Sequence, residues 1–141
     1  MKKLGLDNEF CTDVFKKEMR SVLEFAVPVW SGGISKHESN QIEKVQKTAV
    51  KIILQNKYSD YDSACNELKT ENLNSRREKL CLKFARNNLN SKNTFFATKL
   101  TKLNLRKQRK FQEMKCNTTR MFNSSIQYMS RLLNKLDVKM K

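Results

Sequence analysis

Apolar side chains recur at helical spacing in successive stretches of this chain, divided by short polar breaks. From about Asn8 to Val27, the residues Cys11, Phe15, Met19, Val22, Leu23 and Ala26 fall on one stripe. Lys16, Lys17, Glu18 and Arg20 lie mostly off it, so the segment reads as one amphipathic helix. Pro28 biases Val27 away from the α region and sets the helix end there, with a turn over residues 29–33 and Trp30 as a buried anchor. Ser35 and Glu38 have the spacing of a capping box and open a second helix, which runs to about Gln55. Its seam is Ile42, Val45, Ala49, Ile52 and Ile53, widened by Val50 and Leu54. Asp60 serves as the N-cap of a short third helix, Tyr61 to Leu68, with Tyr61, Ala64, Cys65 and Leu68 inward. Residues 72–75 form a connector with Leu73 pointing in. A fourth helix runs from about Arg76 to Leu89, with Leu80, Cys81, Phe84, Ala85 and Leu89 on its inner face.

After Leu89 the texture changes. Phe95, Phe96 and Leu100 suit a short turn docked back on the core. Lys102 to Lys115 is basic and reads as extended or disordered when free. Ile126, Met129, Leu132, Leu133 and Leu136 recover helical spacing and predict a terminal helix in want of a partner surface. The expected fold is therefore all-α. A small helical bundle fills residues 1–89, and residues 90–141 form a basic, partly disordered C-terminal segment with a terminal helix. With three Gly and one Pro in 141 residues, a many-turned β-sandwich or barrel is disfavoured. No apolar run approaches the ~20 residues of a membrane span. Charged residues after Met1 leave no apolar region for a secretory signal, so the expected location is intracellular, with no membrane partner.

Charge sharpens this picture. The chain holds 29 Lys+Arg against 14 Asp+Glu, a net of +15. Residues 1–75 carry 11 bases and 11 acids, whereas residues 76–141 carry 18 bases and 3 acids. The whole excess therefore sits in the second half. Such segregation is the footprint expected for a polyanion, because neutralising phosphates releases condensed counterions.

Catalytic chemistry finds little to work with. Cys11, Cys65, Cys81 and Cys116 are widely spaced and His37 is the one histidine, so no zinc knuckle can be written. Free thiols are expected, with Cys11 and Cys81 as small core residues. Asp60 and Asp62 are not adjacent and lack flanking strands, which makes a two-metal polymerase site a poor reading. Gly32-Gly33 lacks the spacing and the Lys of a P-loop. The Asn117-Thr118-Thr119 and Asn123-Ser124-Ser125 sequons match a glycosylation acceptor but have no secretory context. Arg76 and Arg77 open a helix, where cations oppose the macrodipole. A phosphate, or a salt bridge to Glu71 or Glu78, would offset that. The cluster Arg106, Lys107, Arg109 and Lys110 beside Phe111 suits backbone contact with one stacking ring, or else a solvated linker.

Several segments together resemble the C-terminal, post-palm region of the reverse transcriptase of non-LTR (LINE-type, jockey-like) retrotransposons. Arg20 to Trp30 resembles the family's "RSVLEYxxPVW" segment. Ile42 to Ala49 resembles its "LExVQRRA" helix. Tyr61 to Leu68 and Leu73 to Leu82, with Arg76-Arg77, are similar to its "Y…L…L…L…RR…L" pattern. Phe111 to Asn134 resembles the end of many such polyproteins. The resemblance implies a thumb-like helical region that helps hold a template–primer duplex or the element RNA. The catalytic Asp-Asp box, fingers and endonuclease of that family have no counterpart here. The expectation is a non-catalytic, nucleic-acid-binding fragment, with no enzymatic activity of its own, no cofactor, no metal and no small-molecule substrate. Its expected phosphate contacts are Arg76, Arg77, Lys83, Arg86, Arg106, Lys107, Arg109 and Lys110. Two alternatives stay open. One is a helical protein-interaction module working through Ile126 to Leu136. The other is a functionless translated remnant of a mobile element.

Overall fold

The computed structural model describes residues 7–90 and 111–139. These residues are all-α, with no strand among them. In chain order the helices are α1 (Asn8–Val14), α2 (Arg20–Leu23), α3 (Val27–Trp30), α4 (Lys36–Leu54), α5 (Tyr61–Glu67), α6 (Leu73–Asn90), α7 (Thr119–Phe122) and α8 (Ser125–Lys139). A π turn, Phe15–Met19, joins α1 to α2, and a 3-10 turn, Gln55–Lys57, follows α4. The expected docking turn at Phe95, Phe96 and Leu100 lies outside the described residues. So do Arg106, Lys107, Arg109 and Lys110.

The chain divides into two compact units, and the division is interleaved. Among the described residues, one unit comprises 7–25 with 35–76, and the other 26–34 with 77–90 and 111–139. This division does not follow the boundary at residue 89 that the sequence suggests. Residues 26–34 and α6 from Arg77 onward share their core with the C-terminal segment. Val27 and Cys81 pack against Leu132 there, which the linear reading could not anticipate.

In the first unit the opening helix is shorter and more irregular than its stripe suggests. Asp7 caps α1 by accepting from Asn8 N at 2.7 Å. The π turn then adds a residue to the helical cycle. The Arg20 N–H bonds to the Phe15 carbonyl five residues back. That spacing brings Arg20 beneath Phe15, with its guanidinium 5.7 Å from the ring centroid. Arg20 is consequently buried, although its position in a regular helix would be off the apolar stripe. Helical structure ends at Leu23, not at Val27, as Glu24 leaves the α region.

The start of α4 follows the sequence closely. The Ser35 hydroxyl accepts from Glu38 N at 3.2 Å, and the Glu38 carboxylate accepts from Ser35 N at 2.7 Å. Beyond Leu54, Gln55 takes a φ of 48°, which stops the helix. Asp60 caps α5 by accepting from Asp62 N at 3.1 Å. Lys69, also left-handed, closes that helix, and Thr70 N reaches the Cys65 carbonyl at 2.8 Å. The core has two clusters, Cys11 with Phe15 and Ile53, and Val50 with Leu54 and Ala64; half-buried Leu68 packs against both. Fully burying such a side chain contributes roughly 1.5–3 kcal/mol. Ile52, by contrast, is 59% exposed. Helix α1 packs on α4 at Ile53, and α5 at Val50 and Leu54, which leaves Ile52 outside.

In the second unit, Ala26 has a φ of 51° and turns the chain into α3. Pro28 sits in the first turn of that helix, where its missing N–H is not needed. The expected turn over residues 29–33 therefore begins with a helical turn that runs to Trp30. Val27 is fully buried with Cys81 and Leu132, and half-buried Trp30 packs beside them. Gly32 is required by close approach: a Cβ there would lie 2.7 Å from Tyr128 Cβ and 2.8 Å from the Asn123 carbonyl. Helix α6 starts at Leu73, so the expected connector over residues 72–75 is mostly its first turn; Asn72 accepts from Ser75 N at 2.8 Å.

The seam of α8 has a surface within its own unit, where Met129 and Leu133 pack on Ala85 and Phe111. Phe111 is 7% exposed and belongs to this core, so it is not an available stacking ring. Its backbone is pinned on both sides by Asn134, which accepts from Phe111 N at 3.0 Å and donates to Phe111 O at 3.1 Å.

Candidate nucleic-acid interface

Helix α6 carries four of the expected contacts, and its geometry separates them. Arg76 lies in the helix's first turn, where its charge opposes the macrodipole. The Arg76 Nε donates to the Glu24 carboxylate in an ion pair, which offsets that cost. The partner is Glu24, not Glu71 or Glu78. The first-turn N–H groups have an anion as well. The Glu43 carboxylate accepts from Leu73 N and Asn74 N, both at 3.2 Å. It also accepts from the Tyr61 hydroxyl.

Behind this lies a buried polar network within the first unit. Arg20 donates to Gln46 Oε1 at 3.1 Å and to the Glu71 carbonyl at 3.2 Å. Gln46, fully buried, donates to the same carbonyl at 2.8 Å and to Tyr61 Oη at 2.9 Å. Burial lowers the Arg20 pKa, and the Arg76 charge lowers it further. Burial, then the bond to Glu43, pushes the Tyr61 phenol well up. Arg20, Glu43, Gln46 and Tyr61 all bond within the unit, although the buried Arg20 Nε has no hydrogen-bond partner, and Glu43 ties the first turn of α6 into this network.

Arg77 is 2% exposed, and its guanidinium lies 5.9 Å from the centre of the Trp30 ring. It shares the i, i+4 row of Cys81 and Ala85, both fully buried. A helix row that faces the core cannot reach a phosphate, and Arg77 is therefore removed from the set of contacts. Burial also raises the Cys81 thiol pKa, against the hydrogen bond from Ser31 and the Arg77 charge.

Lys83 and Arg86 are exposed. With Lys79, Leu82 and Asn87 they line a shallow concavity of about 200 Å³. Neither Lys83 nor Arg86 enters an ion pair among the described residues. From Arg77 to Asn90 the helix has four bases and one acid, Glu78. Lys79 was missed by the sequence reading, though its i+4 spacing to Lys83 was there to be read. A second feature also went unread: the Arg131 guanidinium sits 3.8 Å from the Phe122 ring centroid and donates to the Phe122 carbonyl at 2.6 Å. Phe122 remains half exposed.

Other chemistry has no assembled site among the described residues. No group of three or more His, Cys, Asp or Glu side chains is placed to hold a metal ion. His37 is exposed on α4 beside Gln41, at 3.2 Å. Cys11, Cys65 and Cys81 are buried free thiols, and Cys116 is half-buried. No described helix is long and apolar enough to cross a membrane. No protein-family model, no curated protein and no solved structure matches this chain.

Proposed function

We propose that this chain is a non-catalytic nucleic-acid-binding module of the kind found after the palm of a non-LTR retrotransposon reverse transcriptase. The observation that carries the reading is the segregation of charge, with a net of zero over residues 1–75 and 18 bases against 3 acids afterwards. Lys83 and Arg86, exposed beside Lys79 on α6, supply one cationic strip. Arg106, Lys107, Arg109 and Lys110, close together in sequence, would add further phosphate contacts. Contacts of this type engage phosphates and set register without reading bases. Arg76 and Arg77 act behind the interface, through Glu24 and Trp30, and hold α6 in place.

Fluorescence anisotropy with labelled single- and double-stranded oligonucleotides, over a salt series, tests the proposal. Affinity should fall steeply with salt, with a log–log slope of ~0.9 per duplex phosphate neutralised. No binding at low salt, despite the net charge of +15, would overturn it.

A further inference from the structure

Phe111 is closed off in the core, yet the basic half of the chain does present an aromatic ring. Among the described residues three phenylalanines are exposed, Phe10, Phe25 and Phe122. Phe10 and Phe25 belong to the charge-neutral residues 1–75, and Phe122 to the cationic remainder. Phe122 ends α7, and half of its surface is open. The Arg131 guanidinium, 3.8 Å from the ring centroid, lies over one face of the ring, not at its edge. The open surface therefore belongs to the rest of the ring.

The arrangement is held from several sides. Arg131 Nη1 donates to the Phe122 carbonyl at 2.6 Å, which fixes the cation to the backbone that carries the ring. The Thr118 hydroxyl caps α7 by accepting from Met121 N at 3.2 Å. The turn after α7 is seated on residues 26–34. There the Asn123 carbonyl approaches Gly32 too closely for a Cβ, and Ser125 Oγ donates to the Val29 carbonyl at 2.5 Å. Ring and cation are thus ordered before any ligand arrives, which lowers the entropic cost of binding. The charge around them is one-sided. Residues 111–136 hold Lys115, Arg120, Arg131 and Lys135 against a single acid, Glu113. Exposed Arg120, two positions before the ring, enters no ion pair among the described residues.

We infer that Phe122 and Arg131 form a stacking platform for an unpaired nucleobase, which gives this module a preference for single-stranded nucleic acid. The inference rests on the nucleic-acid reading above and adds a contact that phosphates cannot make. Single-strand binders combine aromatic rings and guanidinium planes, on which bases stack, with basic side chains along the backbone. A duplex keeps its bases stacked on one another and has none to offer the ring.

Fluorescence anisotropy of the full chain tests this with a single-stranded oligonucleotide, the corresponding duplex, and a single strand of equal length made of abasic sites. Phe122→Ala and Phe122→Leu should each weaken binding to the base-carrying single strand by roughly five- to 150-fold, the factor that one base–aromatic stack is worth. Neither should change the salt slope, the affinity for the duplex or the abasic strand, or the circular dichroism spectrum. Phe122→Trp should preserve single-strand binding, because it keeps a planar ring. Arg131→Lys retains the charge but not the plane, and should weaken the single strand more than the duplex. If the parent chain binds none of the probes at low salt, the nucleic-acid reading itself falls, and this inference with it. If the parent binds with a steep salt dependence and both Phe122→Ala and Phe122→Leu match it, nucleic-acid binding stands and the platform is overturned. Equal losses on all three probes would also overturn it, as the mark of a ring that only supports Arg131.

Discussion

Glu43 on α4 accepts the backbone N–H of Leu73 at 3.2 Å, bridging thirty positions of sequence. Through this bond one carboxylate supplies the anion that the start of α6 needs, while also receiving the Tyr61 hydroxyl. Replacing it with a neutral side chain removes both the charge and part of the capping. Glu43→Gln should lower stability by about 1–2 kcal/mol. Urea denaturation would show this as a lower midpoint with an unchanged slope.

Phe111 tests whether the segment after the basic run is built into the core. Truncation to Ala leaves a cavity among Ala85, Met129 and Leu133. Such a change costs ~3–5 kcal/mol. Thermal denaturation should register a large drop in Tm. A change of less than about 1 kcal/mol would be the signature of a solvated ring.

The basic residues of α6 divide into two experimental classes. Lys83→Ala and Arg86→Ala should each flatten the salt dependence of oligonucleotide binding by roughly one unit of slope, with little loss of stability. Arg76→Ala leaves Glu24, with its largely buried side chain, short of its closer cation. It should cost stability and leave the salt slope unchanged. If Arg76→Ala flattens the slope as Lys83→Ala does, the assignment of Arg76 to the scaffold is wrong.

The capping box of α4 gives a pH signature. Hydrogen bonds from Ser35, first from its backbone N–H, hold the Glu38 carboxyl below its ordinary pKa. The group therefore stabilises the fold above the unfolded glutamate pKa, and that contribution is lost as pH falls through the lower, folded value. Denaturation of the parent chain and of Glu38→Gln, compared at pH values from roughly 6 down to 3, should show the parent's advantage shrinking on the acid side.

Legibility in the sequence tracked how local each determinant is. The Ser35–Glu38 box, the Asp60 cap and the seam of α8 are written within a turn or two, and all were readable. Phe111 was misread because it stands next to Lys and Arg, while the residues that bury it lie up to 26 positions away. The break after Leu23 carries no Gly, and the left-handed turn falls on Ala26. Arg20 was placed off the stripe because the i, i+5 phase of the π turn cannot be anticipated from a 3.6-residue period. On α6 the apolar spacing already sets Cys81 and Ala85 inward; the charge of Arg77 hides that the same i, i+4 row continues one turn back to it, buried like them.

The borrowed segment Ala26–Ile34 makes the basic half of the chain indivisible from what precedes it. Val27 and Gly32 are structural components that the C-terminal residues do not carry themselves. Cutting the gene at residue 77 would yield a cationic peptide lacking a buried valine and the glycine seat of Tyr128. A cut in sequence at that point therefore does not coincide with a cut between compact units.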